Sequence, residues 1–203
     1  MRCWAGTVQH GCMTLLLPIG SDANELLRRS PLALLIGMTL DQQVTMEKAF
    51  SSPYELERRL GRPLDARELA AFDPDALVAI FSERPALHRF PKANAKRVQE
   101  VCQLLVERYD GDPARLWTEA RTGSELLKRM LELPGFGMQK SQIFVALLGK
   151  RFGVTPEGWR AAAGTYGDED IHHSVADVID EDSLAKVRIH KQQTKAAARA
   201  TTA

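Results

Sequence analysis

The sequence is short of cysteine, of net charge, of long apolar runs and of strand signals, and each shortage closes off a class of protein. Its three cysteines, Cys3, Cys12 and Cys102, are odd in number and far apart, with no Cys-x-x-Cys pair and no Cys/His cluster. That pattern argues against a disulfide scaffold, a zinc site and a four-cysteine iron–sulfur cluster, so no metal ligand set is expected, and it suits a reducing cytoplasm. Lysine and arginine number 27 against 26 acidic residues, a net charge of +1. No global field marks the chain as a partner for polyanions, so any such role needs basic residues gathered locally. The longest apolar stretch, Pro31 to Leu40, is about half of what a membrane-spanning helix needs. The apolar run Met13–Ile19 carries a proline and no small-residue cleavage site, so no signal peptide is read there. A cytoplasmic protein without a membrane partner is expected.

Alternating apolar runs and Asn-Gly or Asp-Gly hairpin turns are missing too, which argues against a sheet. No repeat at solenoid periods is visible. What the 203 residues do contain is helix signal. Asp22–Arg29 and Pro31–Leu40 read as short helices, and Asp41–Gly61 as one or two more, broken near Pro53. Asp65–Phe72 and Asp73–Phe81 each open on an aspartate placed to cap a helix. Pro91–Tyr109 gives the clearest pattern, with Val98, Val101, Cys102 and Leu105 at helical spacing on one face. Asp112–Ala120, Thr122–Leu131 and Met138–Arg151 follow. Residues 1–12 show no periodic pattern and are expected as an unstructured extension. The folded domain is expected over 13–190, and the polar, alanine-rich stretch 191–203, with no apolar face, as a disordered tail.

The informative segment is the helical pair at 122–151. Leu126, Leu127, Met130 and Leu131 form an apolar stripe that Ile143, Phe144, Leu147 and Leu148 repeat at the same offsets. Between them lies Leu133-Pro134-Gly135-Phe136-Gly137. The proline ends the first helix, and the glycines permit backbone angles that a Cβ opposes. They also leave amides unobstructed at the start of the next helix, where hydrogen bonding and the helix dipole favour a phosphate. Phe136 at the tip is expected to pack between the helices.

The run from Leu133 to Lys140 resembles the Leu-Pro-Gly-x-Gly hairpin of the helix-hairpin-helix (HhH-GPD) base-excision DNA glycosylases, typified by endonuclease III. Upstream, Leu40-Asp41-Gln42-Gln43-Val44-Thr45 followed by Lys48-Ala49 is similar to the glutamine-bearing segment of those enzymes. The resemblance covers roughly residues 22 to 160 and is nearest to a small bacterial branch. It implies an all-α fold of two helical lobes with a central cleft, containing one helix-hairpin-helix. It implies a monomer that binds damaged double-stranded DNA at the bacterial nucleoid. Leu133, Pro134, Gly135, Phe136, Gly137 and Lys140 would grip the backbone, with a monovalent cation held by hairpin carbonyls, while Gln43, with Gln42 beside it at the DNA, would fill the space left by an extruded nucleotide. Read without the resemblance, the two glutamines are a solvated or capping pair near a helix start.

Departures from the family pattern shape the expected chemistry. The lysine of bifunctional members falls at Gln139 here, and Lys140 is rotated by about 100° around the helix, so a lyase step is not expected and Lys140 reads as an exposed lysine near the backbone. The family's catalytic aspartate has no direct counterpart. Thr155-Pro156 looks like a helix start. Matched by helix cap, the aspartate becomes Thr155, which carries no charge; matched by distance from Gln139, it becomes Glu157, which serves either as the acid stabilising a cationic sugar or merely as a first-turn acid opposing the helix dipole. Asp168 and Asp170 are the next acids, beside His172 and His173. Trp159 is the candidate base-pocket residue, ahead of Trp117. No cysteine follows Cys102, which excludes the family's iron–sulfur cluster, and no cofactor is required. The basic run Arg84–Arg97 reads either as a backbone contact or as a solvated face. Three functions stand open: a monofunctional glycosylase hydrolysing the N-glycosidic bond of a damaged base, a non-catalytic damage reader, and a helical protein–protein scaffold.

Overall fold

The computed structural model describes residues 15–200, side chains at 195 and 198–200 excepted. Among the described residues the regular secondary structure is all helix, with no strand and a lone parallel bridge between Thr122 and Glu157. The expected extension at 1–12 lies outside the described residues.

Helix α2 (Pro31–Leu40) is buried from Leu32 to Leu40. A segment apolar on every side must sit inside the protein, and α1 (Ser21–Arg29), α3 (Met46–Leu60) and α6 (Pro91–Tyr109) pack around it. Gly37 lets α3 approach closely, since a Cβ there would stand 2.8 Å from the Phe50 ring. Helices α4 (Ala66–Ala71) and α5 (Pro74–Ser82) lie against α6, capped by Asp65 and Asp73 as their sequences predict. After the short α7 (Arg115–Thr118), α8 (Gly123–Leu131) and α9 (Met138–Phe152) form an adjacent pair. Packed on α9 are α10 (Trp159–Ala162) and two single 3₁₀ turns, Gly164–Gly167 and Val175–Asp177. One continuous core joins the helices around α2 to those around α9.

Three expectations need correction. The segment 41–61 is not broken at Pro53: residues Asp41–Thr45 form a loop, and α3 runs unbroken through the proline. Pro53 withdraws one backbone donor, and just before it the Ser51 and Ser52 hydroxyls both donate to the Lys48 carbonyl, at 3.3 and 2.6 Å. Second, α11 (Glu181–Ala200) includes residues 191–200 of the stretch expected as a disordered tail, whose last three residues lie outside the described ones. Its docked first turns supply the nucleus, and alanine, lysine and glutamine extend a helix at little cost. Third, Thr155-Pro156 does not start a helix. Glu157 is held in the bridge, its carbonyl accepting from the Gly123 amide at 2.7 Å, and α10 begins only after Gly158.

Candidate functional site

Three segments distant in sequence meet at one place: the loop after α2, the middle of α6, and the turn between α8 and α9. In that turn Gly135 takes φ +81°, a conformation L-residues rarely adopt. The Arg97 side chain lies against it, so a Cβ on Gly135 would come within 2.5 Å of Arg97 Cδ and Nε. Phe136 is buried, with its ring 6.1 Å from that of Phe144. Leu133 is buried, Pro134 half-buried, and Gly137 exposed. Gly137 sits at the N-terminus of α9 with ordinary φ, and a Cβ there would meet nothing within 4 Å. No side chain caps α9, so its leading amides have no side-chain acceptor and the positive end of the helix dipole lies at the turn.

Across from the turn stand the two glutamines, both exposed. Gln43 has φ +58°, an uncommon left-handed conformation for a residue with a side chain. Their loop is clamped from three sides. Arg97 donates to Gln42 Oε1 at 3.1 Å while lying against Gly135, and so bridges loop and turn. Lys140 Nζ donates to the Thr39 carbonyl at 3.0 Å, linking residues 101 apart in sequence. From below, His88 bonds the Gln42 carbonyl through Nε2 at 2.9 Å. Its Nδ1 accepts from the Phe90 amide at 3.0 Å and the Asn94 amide at 2.7 Å. Two donors on Nδ1 leave the ring proton on Nε2, so His88 is held as the neutral tautomer that donates to the loop. Burial also pushes its pKa down, against the bond to the Gln42 carbonyl.

Lys140 is therefore not the exposed lysine that its helical phase suggested. It is half-buried, 5.4 Å from the centre of the Phe136 ring. Burial lowers its pKa from the ordinary 10.5 to about 8, with the Asp41 carboxylate opposing that shift and the Arg97 charge assisting it. Gln139, by contrast, points toward the 164–167 turn and donates to the Tyr166 hydroxyl at 2.9 Å. Among the described residues, the fully buried Ser141 hydroxyl one turn into α9 has no hydrogen-bond partner.

The remaining candidates lie elsewhere. Glu157, bridged to Thr122, sits at the opposite end of α8 from the turn, about 13 Å along the helix axis. Trp159 packs its ring over Gly149, with the Arg160 guanidinium 4.6 Å from the ring centre on the aromatic face. Asp170 is exposed, with φ +56°, beside Trp159 and His172 around a cavity of about 480 Å³. Asp168 offers its carbonyl to Lys150. His173 stacks on His190, ring centres 4.0 Å apart. Trp117 is a core residue, edge-on to Phe144.

Arg97 and Asn94 complete the site although the sequence shows them only as members of a basic run and a helix, and Tyr166 carries no sequence signal at all. No helix among the described residues is long and apolar enough to cross a membrane. Comparison with protein-family models, with curated proteins and with solved structures finds no match to this chain.

Proposed function

We propose that this protein binds damaged duplex DNA, in the manner of a base-excision repair protein. In this reading the α8–α9 turn is a helix-hairpin-helix that grips backbone phosphate through its open amides. The helices around α2 and those around α9 act as two lobes flanking a cleft, and Gln42 and Gln43 enter the duplex where a nucleotide has left the stack. The observation that carries the reading is the meeting of the two motifs through Arg97, which bonds Gln42, and Lys140, which bonds the Thr39 carbonyl at the end of α2; two cations thus stand between an uncapped helix and the segment that leads into the glutamine loop. Phosphate contacts of this kind position a protein without reading sequence. A monovalent cation on the turn belongs to the same proposal, since uncharged backbone carbonyls suit it and the Ser141 hydroxyl is an oxygen with no other partner. Titrating labelled abasic-site and intact duplexes at several salt concentrations tests the proposal. Salt-dependent binding with preference for the abasic duplex is expected, and absence of duplex binding at low salt rejects it in favour of a protein scaffold.

A second reading adds hydrolysis, making the protein a monofunctional glycosylase in which water attacks C1′ and the base leaves. The specific observation favouring it is the position of Asp41, a half-buried carboxylate residue at the end of α2 that opens the glutamine loop immediately before Gln42. Asp41 takes over the acid's role from Glu157, which the Thr122 bridge holds at the far end of α8. Base release from lesion-bearing duplex that is lost in Asp41→Asn and kept in Glu157→Gln is the expected result.

A further inference from the structure

We propose that the groove between α5 and the start of α6 is a second nucleic-acid subsite, one that holds an unpaired nucleotide with its base on Phe90 and its phosphate over the first turn of α6. The groove encloses about 630 Å³, a size typical of small-ligand sites. Its floor is apolar, built from Pro74, Val78, Phe90 and Pro91, and Phe90 keeps 45% of its surface exposed. Its rim carries three cations, Arg89, Lys92 and Lys96, and one acid, Asp75, while Glu100 one turn along α6 stands 3.7 Å from the Lys96 ammonium.

Those cations select the occupant. Lys92 and Lys96 stand one helical turn apart on the same face of α6, a line of charge suited to successive phosphates. Arg89 holds its guanidinium 5.3 Å from the centre of the Phe90 ring. An aromatic platform flanked by guanidinium and lysines is the arrangement that binds single strands, with bases stacking on the ring and the backbone following the positive charge. The first turn of α6 adds to it: Phe90 supplies no side-chain cap, so the amides of Lys92 and Ala93, which follow the donor-less Pro91, have no intrahelical acceptor. An apolar anion without a planar ring would leave the Phe90 face unused.

The groove also adjoins the glutamine loop. His88, whose ring centre is 6.2 Å from that of Phe90, is the residue that bonds the Gln42 carbonyl. A strand peeled from a duplex at that loop would have this platform beside it. The subsite nevertheless stands on its own geometry and does not require the duplex reading.

The test uses the full chain and the fluorescent pentanucleotide (dT)5, followed by anisotropy at low salt. Wild type is expected to bind, more weakly as salt is added. Phe90→Ala should weaken binding about tenfold, the loss of one stacked base, and Lys92→Glu with Lys96→Glu should weaken it at least as much. Phe90→Trp should retain affinity, its fluorescence quenched on binding; this variant guards against a folding defect in Phe90→Ala. Wild type that does not bind (dT)5, or Phe90 and lysine variants that bind as wild type does, would overturn the proposal. Displacement of (dT)5 by an acidic aromatic peptide at lower concentration than by unlabelled (dT)5 would also overturn it, and make the groove a peptide site. Duplex binding is measured alongside. Wild type that binds (dT)5 through Phe90 but no duplex sinks the hairpin reading alone; wild type that binds duplex but not (dT)5 sinks this one alone.

Discussion

The two ends of α9 are built on opposite plans. At its C-terminal end the strong groups of the helix itself are already engaged. Lys150 pairs with the buried Asp177 carboxylate at 2.6 Å, Arg151 donates to the Ala176 carbonyl at 2.7 Å, Trp159 covers Gly149, and Gly153 closes the helix in the left-handed conformation. At its N-terminal end the amides are uncapped, the space over Gly137 is empty, a hydroxyl is orphaned and a lysine is partly desolvated. A polar group left unsatisfied costs free energy unless something arrives to satisfy it. Glycine, lysine and tryptophan at one end therefore serve packing, while glycine and lysine at the other stand beside groups left without partners, as the proposed DNA contact requires.

Four measurements test that contrast. The largest effect is expected at the closed end. A Cβ on Gly123 would stand 2.5 Å from the Trp159 Cα and 2.6 Å from the Gly158 carbonyl oxygen, all backbone. Gly123→Ala should cost about 3 kcal/mol and lower the thermal midpoint by roughly 10 °C, while the folded fraction keeps its DNA affinity. Unchanged melting would show that this end is looser than the packing implies.

Gly137→Ala should do the reverse. With ordinary φ and open space, the methyl group leaves melting unaltered, yet it obstructs an approaching phosphate. Duplex affinity should fall about tenfold, the scale of one hydrogen bond to a charged group. Gly135 makes a poorer probe, because its positive φ and the Arg97 contact strain any substitution. If Gly137→Ala binds duplex like wild type, the open end is only a turn.

Lys140 links affinity and stability to pH with opposite signs. Its folded pKa of about 8 lies below the ordinary 10.5, so between those values the unfolded chain binds more protons and stability rises with pH. Over pH 7 to 9 the ammonium is lost, and duplex affinity should fall a few-fold beyond the trend of a Lys140→Met variant. Denaturant titrations and binding curves at matched pH values check both; parallel behaviour of variant and wild type would remove Lys140 from the interface.

The smallest effect concerns Gln43. Relieving its left-handed backbone with Gln43→Gly should stabilise the fold by about 1 kcal/mol. It should also erase the preference for abasic over intact duplex. A stabilised variant that still prefers abasic DNA would mean that the strain serves no contact with the lesion.

Much of the helical framework was legible because its signals are local. Asp65, Asp73 and Thr122 cap the helices they precede, and the run Pro91–Tyr109 is helical over its whole length. Local signals misled where long-range contacts overrode them. Thr155-Pro156 looked like a cap until the Gly123 amide took the Glu157 carbonyl. Pro53 looked like a breaker, but α3 packs against α2 and carries it through. Lys140 illustrates the same limit at the site. Helical phase gave its direction on α9, but not that the end of α2 would stand there to bury it.

The sequence alone determined that this protein is helical, where most of its helices begin and end, and that Gly135-Phe136-Gly137 and Gln42-Gln43 are its two unusual segments, because capping, periodicity and backbone freedom are properties of adjacent residues. Only the tertiary structure decided that those segments face each other. Arg97 bridges them, Lys140 is desolvated between them, and Glu157 and Trp159 belong to the packed end of α9. Those outcomes depend on which helix surfaces bury one another, and burial sums over residues that the chain holds up to a hundred positions apart.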